Sequence, residues 1–288
     1  MFASMVLKDL HRKYLNELGE IYPKGESENI TRIIFEEMAD VSRSDLIKSP
    51  SRILPERTLN LLTECLERLM KHEPVQYITG NTWFYKMKFK VSPAVLIPRP
   101  ETEELVHEAI AFLKEKNNPT VLDIGTGSGC IPVAVKKNAP QAIVTSIDVS
   151  ADALKIANEN AKSNEVSVDF KQIDFLHEEN WNTLAQFDAI ISNPPYIPQA
   201  EQTTMDKNVV DFEPNIALFV EDHNPLIFYK KIAAFAKLHL KKEGRIFMET
   251  HENLAHEVCD FFQREGYDAV IKKDLCEKNR MVIANLSR

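Results

Sequence analysis

Apolar positions recur at two different periods along this 288-residue chain. In the first part, to about His72, Leu62, Cys65, Leu66 and Leu69 stand three or four apart, which is the spacing of one helix face. Pro55 suits a first helical turn, where a missing N–H costs nothing, and Pro23, Gly25 and Pro50 interrupt earlier helices. A helical bundle over residues 1–73 is predicted. Over 75–91 the pattern changes: Met87, Phe89 and Val91 alternate with Lys88 and Lys90, the period of a half-buried strand. With Gly80-Asn81 as the turn before it, this predicts a β-hairpin linker over 74–97 between two domains. A helix then opens at Pro100-Glu101 and carries Leu105, Ala109, Phe112 and Leu113 on one side. Strand-like apolar runs follow at 120–124, 143–147, 168–173, 187–192, 245–249, 268–272 and 281–284, with helical segments between most of them. Such alternation predicts an α/β fold over 98–288, a mainly parallel sheet covered on both faces. Lys241, Lys242 and Glu243 read as a solvated turn. The stretch 197–223 carries few regular signals, and irregular loops of that length are usually functional or mobile.

Composition narrows the class without naming a chemistry. The chain is 44% hydrophobic and 27% charged, ordinary for a soluble globular protein. Its net charge of −8 argues against a long nucleic acid as the main partner, since phosphate binding normally shows as a basic surface. Cys65, Cys130, Cys259 and Cys276 are far apart and form no C-x-x-C pair, which points to a reduced cytoplasmic setting and no metal site. No apolar run is long enough to span a bilayer, and Lys8 and Asp9 interrupt the start of the chain where a signal peptide would be apolar. A monomer without membrane or nucleic-acid contacts is the expectation.

Two motifs carry candidate chemistry. The first is Val121-Leu122-Asp123-Ile124 followed by Gly125, Thr126, Gly127, Ser128 and Gly129, a strand running through a tight turn into a helix. Glycines there permit positive φ and close approach of a ligand to the backbone. The spacing is G-x-G-x-G, whereas a dinucleotide site reads G-x-G-x-x-G. Asp148 ends the next strand 19 residues after Gly129, where an acid typically accepts from ribose hydroxyls. Asp174, after the third strand, is placed to accept from an adenine amino group, and Phe175 to stack on its ring.

The second motif is Asn193-Pro194-Pro195-Tyr196, directly after the apolar run Ala189-Ile190-Ile191. Two prolines cannot continue an interior strand, because each lacks an N–H. The tetrapeptide alone fits a stiff turn, and Pro195 to Pro198 also fits a P-x-x-P ligand pattern. At a strand's carboxyl end, however, its amide, carbonyls and aromatic ring form a plausible clamp for a flat –NH2 group. His251, Glu252 and His256 do not make a zinc helix, because the two histidines are five apart where four are needed. Cys130 is explained by a small buried thiol.

Taken together, the glycine loop resembles motif I of class I S-adenosylmethionine-dependent methyltransferases, and N-P-P-Y resembles motif IV of amino-methyltransferases acting on adenine, cytosine or glutamine nitrogens. P-V-Q-Y-I-T-G at 74–80, I-P-R-P-E-T-E at 97–103 and Phe212-Glu213-Pro214 narrow this further. With them, essentially the whole chain resembles the bacterial peptide chain release factor glutamine N5-methyltransferases. The resemblance implies a Rossmann-like class I methyltransferase domain with a seven-stranded sheet, S-adenosylmethionine as cofactor, and release factors as protein partners through the glutamine of their Gly-Gly-Gln loop. It implies that Gly125 to Gly129 line the cofactor, that Asp148 holds its ribose, that Asp174 and Phe175 lie at its adenine, and that Asn193 also reaches it. Asn193, Pro194, Pro195 and Tyr196 would hold the glutamine, with Asn193, Pro194 and Tyr196 catalytic. A docking role for residues 1–73 follows from position only. The competing readings are an adenine-N6 methyltransferase acting on a flipped base, a nicotinamide-dependent dehydrogenase, and a non-catalytic binding module. The acidic balance, the G-x-G-x-G spacing and the intact Asn193 respectively disfavour them.

Overall fold

The computed structural model describes residues 5–287. These divide into two compact units. The first comprises the described residues up to Gly80 together with Asp206–Phe212, and the second the remaining described residues.

The first unit is helical. Its helices are α1 (Leu7–Leu18), α2 (Lys24–Ala39), α3 (Arg43–Lys48), α4 (Glu56–Leu69) and α5 (Val75–Thr79). Leu7, Leu10, Tyr14 and Leu18 of α1 are buried with Leu59, Leu62, Cys65, Leu66 and Leu69 of α4 in one apolar cluster, the helical period made physical. The Tyr14 hydroxyl donates to the Leu62 carbonyl, so this polar atom inside the cluster is satisfied. Ser42 opens α3 with a capping box: its hydroxyl accepts from the Asp45 N–H, and the Asp45 carboxylate accepts from the Ser42 N–H at 2.8 Å.

The second unit begins with a hairpin, β1 (Asn81–Phe84) and β2 (Met87–Lys90). Its turn is Tyr85-Lys86, both left-handed at φ 49° and 61°, as two-residue hairpin turns require. The turn expected before the strands at Gly80-Asn81 is the left-handed cap of α5, Gly80 at φ 71°, directly ahead of β1. The Tyr85 N–H is held by Glu103 Oε1 at 2.7 Å.

The sheet contains β3 (Thr120–Ile124), β4 (Ile143–Asp148), β5 (Asp169–Gln172), β6 (Phe187–Ser192), β9 (Leu240–Glu249), β10 (Tyr267–Lys273) and β11 (Asn279–Leu286). The segment of few regular signals holds only a two-residue parallel pair, β7 (Ile197–Pro198) with β8 (Phe219–Val220), and short helical turns. Strand order across the seven-stranded sheet is β10-β11-β9-β6-β3-β4-β5, and only β11 runs against its neighbours. Alternate residues feed the two faces. Leu122, Ile190, Ile246 and Val282 pack on the helices Ile227–His239 and Ala255–Arg264. Val121, Ala189, Ile191, Phe247 and Ile283 pack on α6 (Pro100–Lys114) and α7 (Cys130–Asn138). Helix α8 (Ala151–Ser163) braces the hairpin, since Asn160 Oδ1 accepts from the Lys90 N–H at 2.7 Å and its Nδ2 donates to the Lys90 carbonyl.

One expectation needs correction. Lys241, Lys242 and Glu243 are not a turn outside the sheet but part of β9. Phe187 pairs with Leu240 while Ala189 already pairs with Arg245, so the intervening residues bulge out of the ladder. Their side chains remain accessible, and Lys241 Nζ returns to Asp188 at 2.8 Å, which is why the sequence looks like a solvated loop.

Candidate active site

Four parallel strands deliver the candidate residues to one edge of the sheet. Strand β3 ends just before Gly125, β4 ends at Asp148, β5 ends two residues before Asp174, and β6 ends just before Asn193. One cavity beyond these carboxyl ends is lined by Gly125, Gly127, Asp148, Asp174, Asn193 and Pro194. Phe175 and Pro195 also line it. This is where open α/β sheets place ligands.

The glycines divide into two kinds. Gly125 (φ 79°) and Gly127 (φ 51°) line the cavity, and a Cβ built on either meets no atom within 4 Å. They form a cradle open to a ligand. Gly129 (φ 79°) faces the protein instead: its Cβ would fall 2.9 Å from Ala157 Cβ and 3.0 Å from Ala157 Cα. It lets α7 approach α8 and is not among the cavity-lining residues. Thr126 and Ser128 are buried in the frame of the loop and likewise do not line the cavity.

The loop's N–H groups are largely spent inside the protein. Those of Gly125 and Thr126 go to the Ile147 carbonyl at 2.9 and 3.1 Å, that of Gly127 to Asp148 Oδ2 at 2.8 Å, and that of Gly129 to the Thr126 carbonyl. A pyrophosphate site presents such donors to its ligand. This loop instead offers apolar glycine surface beside a carboxylate, which fits an uncharged ribose and a sulfonium and does not fit a phosphate. The Asp148 carboxylate also accepts from the Ser150 N–H at 2.9 Å. Burial raises its pKa, against the lowering effect of those N–H bonds.

Phe175 lines the cavity, yet its ring is only 5% exposed and sits in an aromatic cluster. Its centroid lies 5.5 Å from those of both Trp181 and Phe235. Asp174 lines the cavity; its Oδ1 accepts from the Leu176 N–H at 3.0 Å and its Oδ2 lies 3.5 Å from His177 Nε2.

At the other end of the cavity, Asn193 Nδ2 donates to Thr102 Oγ1 at 3.2 Å. Thr102 Oγ1 donates to Glu249 Oε2 at 2.6 Å, and the Tyr196 hydroxyl donates to Glu249 Oε1 at 3.3 Å. Tyr196 therefore faces Glu249 and does not itself line the cavity. Glu249 is 3% exposed, and burial pushes its pKa up to about 6. Burial likewise pushes Asp123 up to about 7, although Ser146 Oγ donates to it at 2.7 Å. Arg99 pairs with the buried Glu213 at 2.6 Å, and Glu213 also accepts from the Ile97 N–H at 3.1 Å.

Thr102, Glu249, Arg99 and Glu213 had no assigned role in the sequence. Three of them lie in stretches already notable there, I-P-R-P-E-T-E and Phe212-Glu213-Pro214. Glu249 carried a signal of its own: an acid ending the apolar run Ile246-Phe247-Met248, as Asp148 ends Val144 to Ile147.

Comparison with known proteins identifies the family. Residues 9–80 match the family described as PrmC N-terminal domain, and residues 107–211 the family described as Methyltransferase small domain. A release factor glutamine methyltransferase of Flavobacterium psychrophilum is 38% identical over 285 residues, covering 98% of this chain and 99% of the relative. One of Bacteroides thetaiotaomicron is 37% identical and covers 93% and 96%. The solved structure of a human methyltransferase 10 domain containing protein aligns with a TM-score of 0.50 at 13% identity, over 69% of this chain and 89% of that one, a similarity of fold. Among the described residues no helix is long and apolar enough to cross a membrane.

Proposed function

The chain belongs to the release factor glutamine methyltransferase family, and we propose that it methylates the side-chain amide nitrogen (N5) of the glutamine in the Gly-Gly-Gln loop of peptide chain release factors, using S-adenosylmethionine. The observation that carries this reading is the juxtaposition of Asn193 and Pro194 with Gly125, Gly127 and Asp148 around one cavity. The open glycine cradle and the adjoining carboxylate suit an adenosyl group. When bound, the cofactor supplies an electrophilic methyl on a sulfonium.

An amide nitrogen is a poor nucleophile, because its lone pair is delocalised into the carbonyl. The protein's task is therefore to orient that nitrogen and to favour positive charge on it as the N–C bond forms. Asn193 keeps its amide NH2 on Thr102, which leaves Oδ1 to accept one N–H of the substrate glutamine. The Pro194 carbonyl, fixed by the stiff proline pair, accepts the other. Both bonds strengthen as charge develops, the kind of interaction that lowers a barrier, and fixed orientation adds several kcal/mol. The nitrogen gains the methyl and loses a proton to water, with no strong base required. Asp148 holds the ribose and Asp174 the adenine amino group, while Phe175 closes the adenine side chiefly as part of the aromatic cluster. Tyr196 supports the clamp from behind, its hydroxyl on Glu249. We assign residues 1–73 to docking of the protein substrate and place the enzyme in the cytoplasm as a monomer.

Mass spectrometry of release factors incubated with the enzyme and S-adenosylmethionine tests the substrate. One added methyl on the Gly-Gly-Gln glutamine is expected. Its absence, with label entering nucleic acid instead, would replace this reading with the base-methylating one. Asn193→Ala is expected to keep the fold and cofactor affinity and to lose about 10²-fold or more in turnover.

A further inference from the structure

The Asn193 side chain presents an oxygen at one end and an NH2 at the other, and the two have nearly the same shape. Only the oxygen end can accept from a substrate NH2; turned over, the clamp would set donor against donor. The surroundings fix the choice. Thr102 is 2% exposed and Glu249 3%, so water does not compete for their hydrogen bonds. An ionised carboxylate only accepts. Glu249 therefore takes the single hydroxyl proton of Thr102, at 2.6 Å. With its proton committed, Thr102 Oγ1 can only accept from Asn193, and it does so from Nδ2 at 3.2 Å. Direction thus passes along the chain from carboxylate to hydroxyl to amide. The second carboxylate oxygen accepts from Tyr196, tying the other polar end of the tetrapeptide to the same group at 3.3 Å. Glu249 is in turn held by its place at the end of β9, where the Tyr229 hydroxyl donates to its backbone carbonyl at 2.9 Å.

We propose that Glu249 and Thr102 are positioning residues that set the polarity of the Asn193 amide, so that Oδ1 and not Nδ2 meets the nucleophilic nitrogen. This rests on the clamp role given to Asn193 above. Neither residue touches the reacting atoms; each acts through Asn193.

Thr102→Val keeps the shape and removes the hydroxyl. It is expected to lower kcat by about tenfold or more, the scale of one lost orienting contact at a transition-state donor or acceptor. KM for the release factor and Kd for S-adenosylmethionine should stay within about twofold, since the clamp's polarity matters most as charge develops. Thr102→Ser restores the hydroxyl and should recover most of the loss. Placed on Asn193→Ala, Thr102→Val should cost almost nothing further, because the group it orients is gone. An equal loss in both backgrounds, or an unchanged kcat in folded Thr102→Val, overturns the proposal. If Thr102→Val does not fold, Thr102→Ala, which also removes the hydroxyl, gives the same comparison.

A readout independent of turnover separates this from failure of the substrate assignment. In protein labelled with 15N-asparagine, the Asn193 NH2 signals, identified by their loss in Asn193→Ala, should exchange slowly with solvent in the native enzyme and in Thr102→Ser. They should exchange fast in Thr102→Val. Slow exchange in Thr102→Val overturns the relay whatever the substrate; absence of glutamine methylation with the exchange pattern as expected overturns the substrate reading alone.

Discussion

Adding one methyl group at each glycine of the loop separates its structural role from its ligand-binding role. Gly129→Ala carries two costs. At φ 79° an L-residue sits in the left-handed region, which costs about 1–2 kcal/mol. Its Cβ would also stand 2.9 Å from Ala157 Cβ and 3.0 Å from Ala157 Cα, closer than carbon atoms approach. Ala157 is fully buried in α8, so the strain passes into the contact of two helices and adds about 1–3 kcal/mol. A loss of about 2–5 kcal/mol is expected, read by urea unfolding at constant m. Gly125→Ala and Gly127→Ala carry only the conformational cost, because no atom lies within 4 Å of either added Cβ. Both Cβ atoms enter the cavity, so these variants should remain folded and lose S-adenosylmethionine affinity by calorimetry. If Gly129→Ala loses less than about 1 kcal/mol, the close-approach argument is wrong. If Gly125→Ala binds the cofactor normally, the cradle argument is wrong.

Stability and activity should depend on pH with opposite signs through Glu249. Burial holds its folded pKa near 6 against an ordinary 4.5. Its stabilising contribution is then fully present below about 4.5 and is lost as pH rises through about 6, so thermal unfolding of Glu249→Gln relative to wild type should gain on the high-pH side. Turnover should instead rise through the same range, since Thr102 and Tyr196 need the ionised carboxylate, with Glu101 opposing and Arg280 favouring ionisation. A rate falling as pH climbs through 6 would contradict the relay. Tyr196→Phe loses only the long hydroxyl bond and should cost about two- to tenfold in kcat, whereas Tyr196→Ala should cost more; equal loss in both would remove the role of the ring. Arg99→Ala leaves the buried Glu213 carboxylate with the Ile97 N–H alone and should destabilise by about 1–3 kcal/mol, tempered because Arg99 is one-third exposed, and measurable by urea unfolding.

Legibility in the sequence followed the range of the interactions involved. Strands β3 and β6 were readable to the residue, because nearly every position of each is buried and a mostly apolar run, broken by one aspartate in each, is the direct record of that burial. The start of β9 was not readable, since its bulged residues face solvent and carry the charges of a loop. The hairpin's own turn at Tyr85-Lys86 left no mark in the sequence, because tyrosine and lysine do not advertise a left-handed conformation as Gly80 does. The site divides in the same way. Gly125 and Gly127 follow β3, Asp148 ends β4 and Asn193 follows β6, and strand ends converge in a parallel sheet, so local pattern sufficed to gather them. Thr102 and Glu249 meet across 147 residues of chain through a single hydroxyl bond, and nothing local in the sequence records such a pair. What the sequence displayed was Asn193, the proposed substrate contact; what the fold added was the direction in which that group points. An amide clamp whose polarity is unset can equally present its NH2 to a carbonyl, so the proposed selectivity of Asn193 for an –NH2 group rests on its distant partners as much as on Asn193 itself.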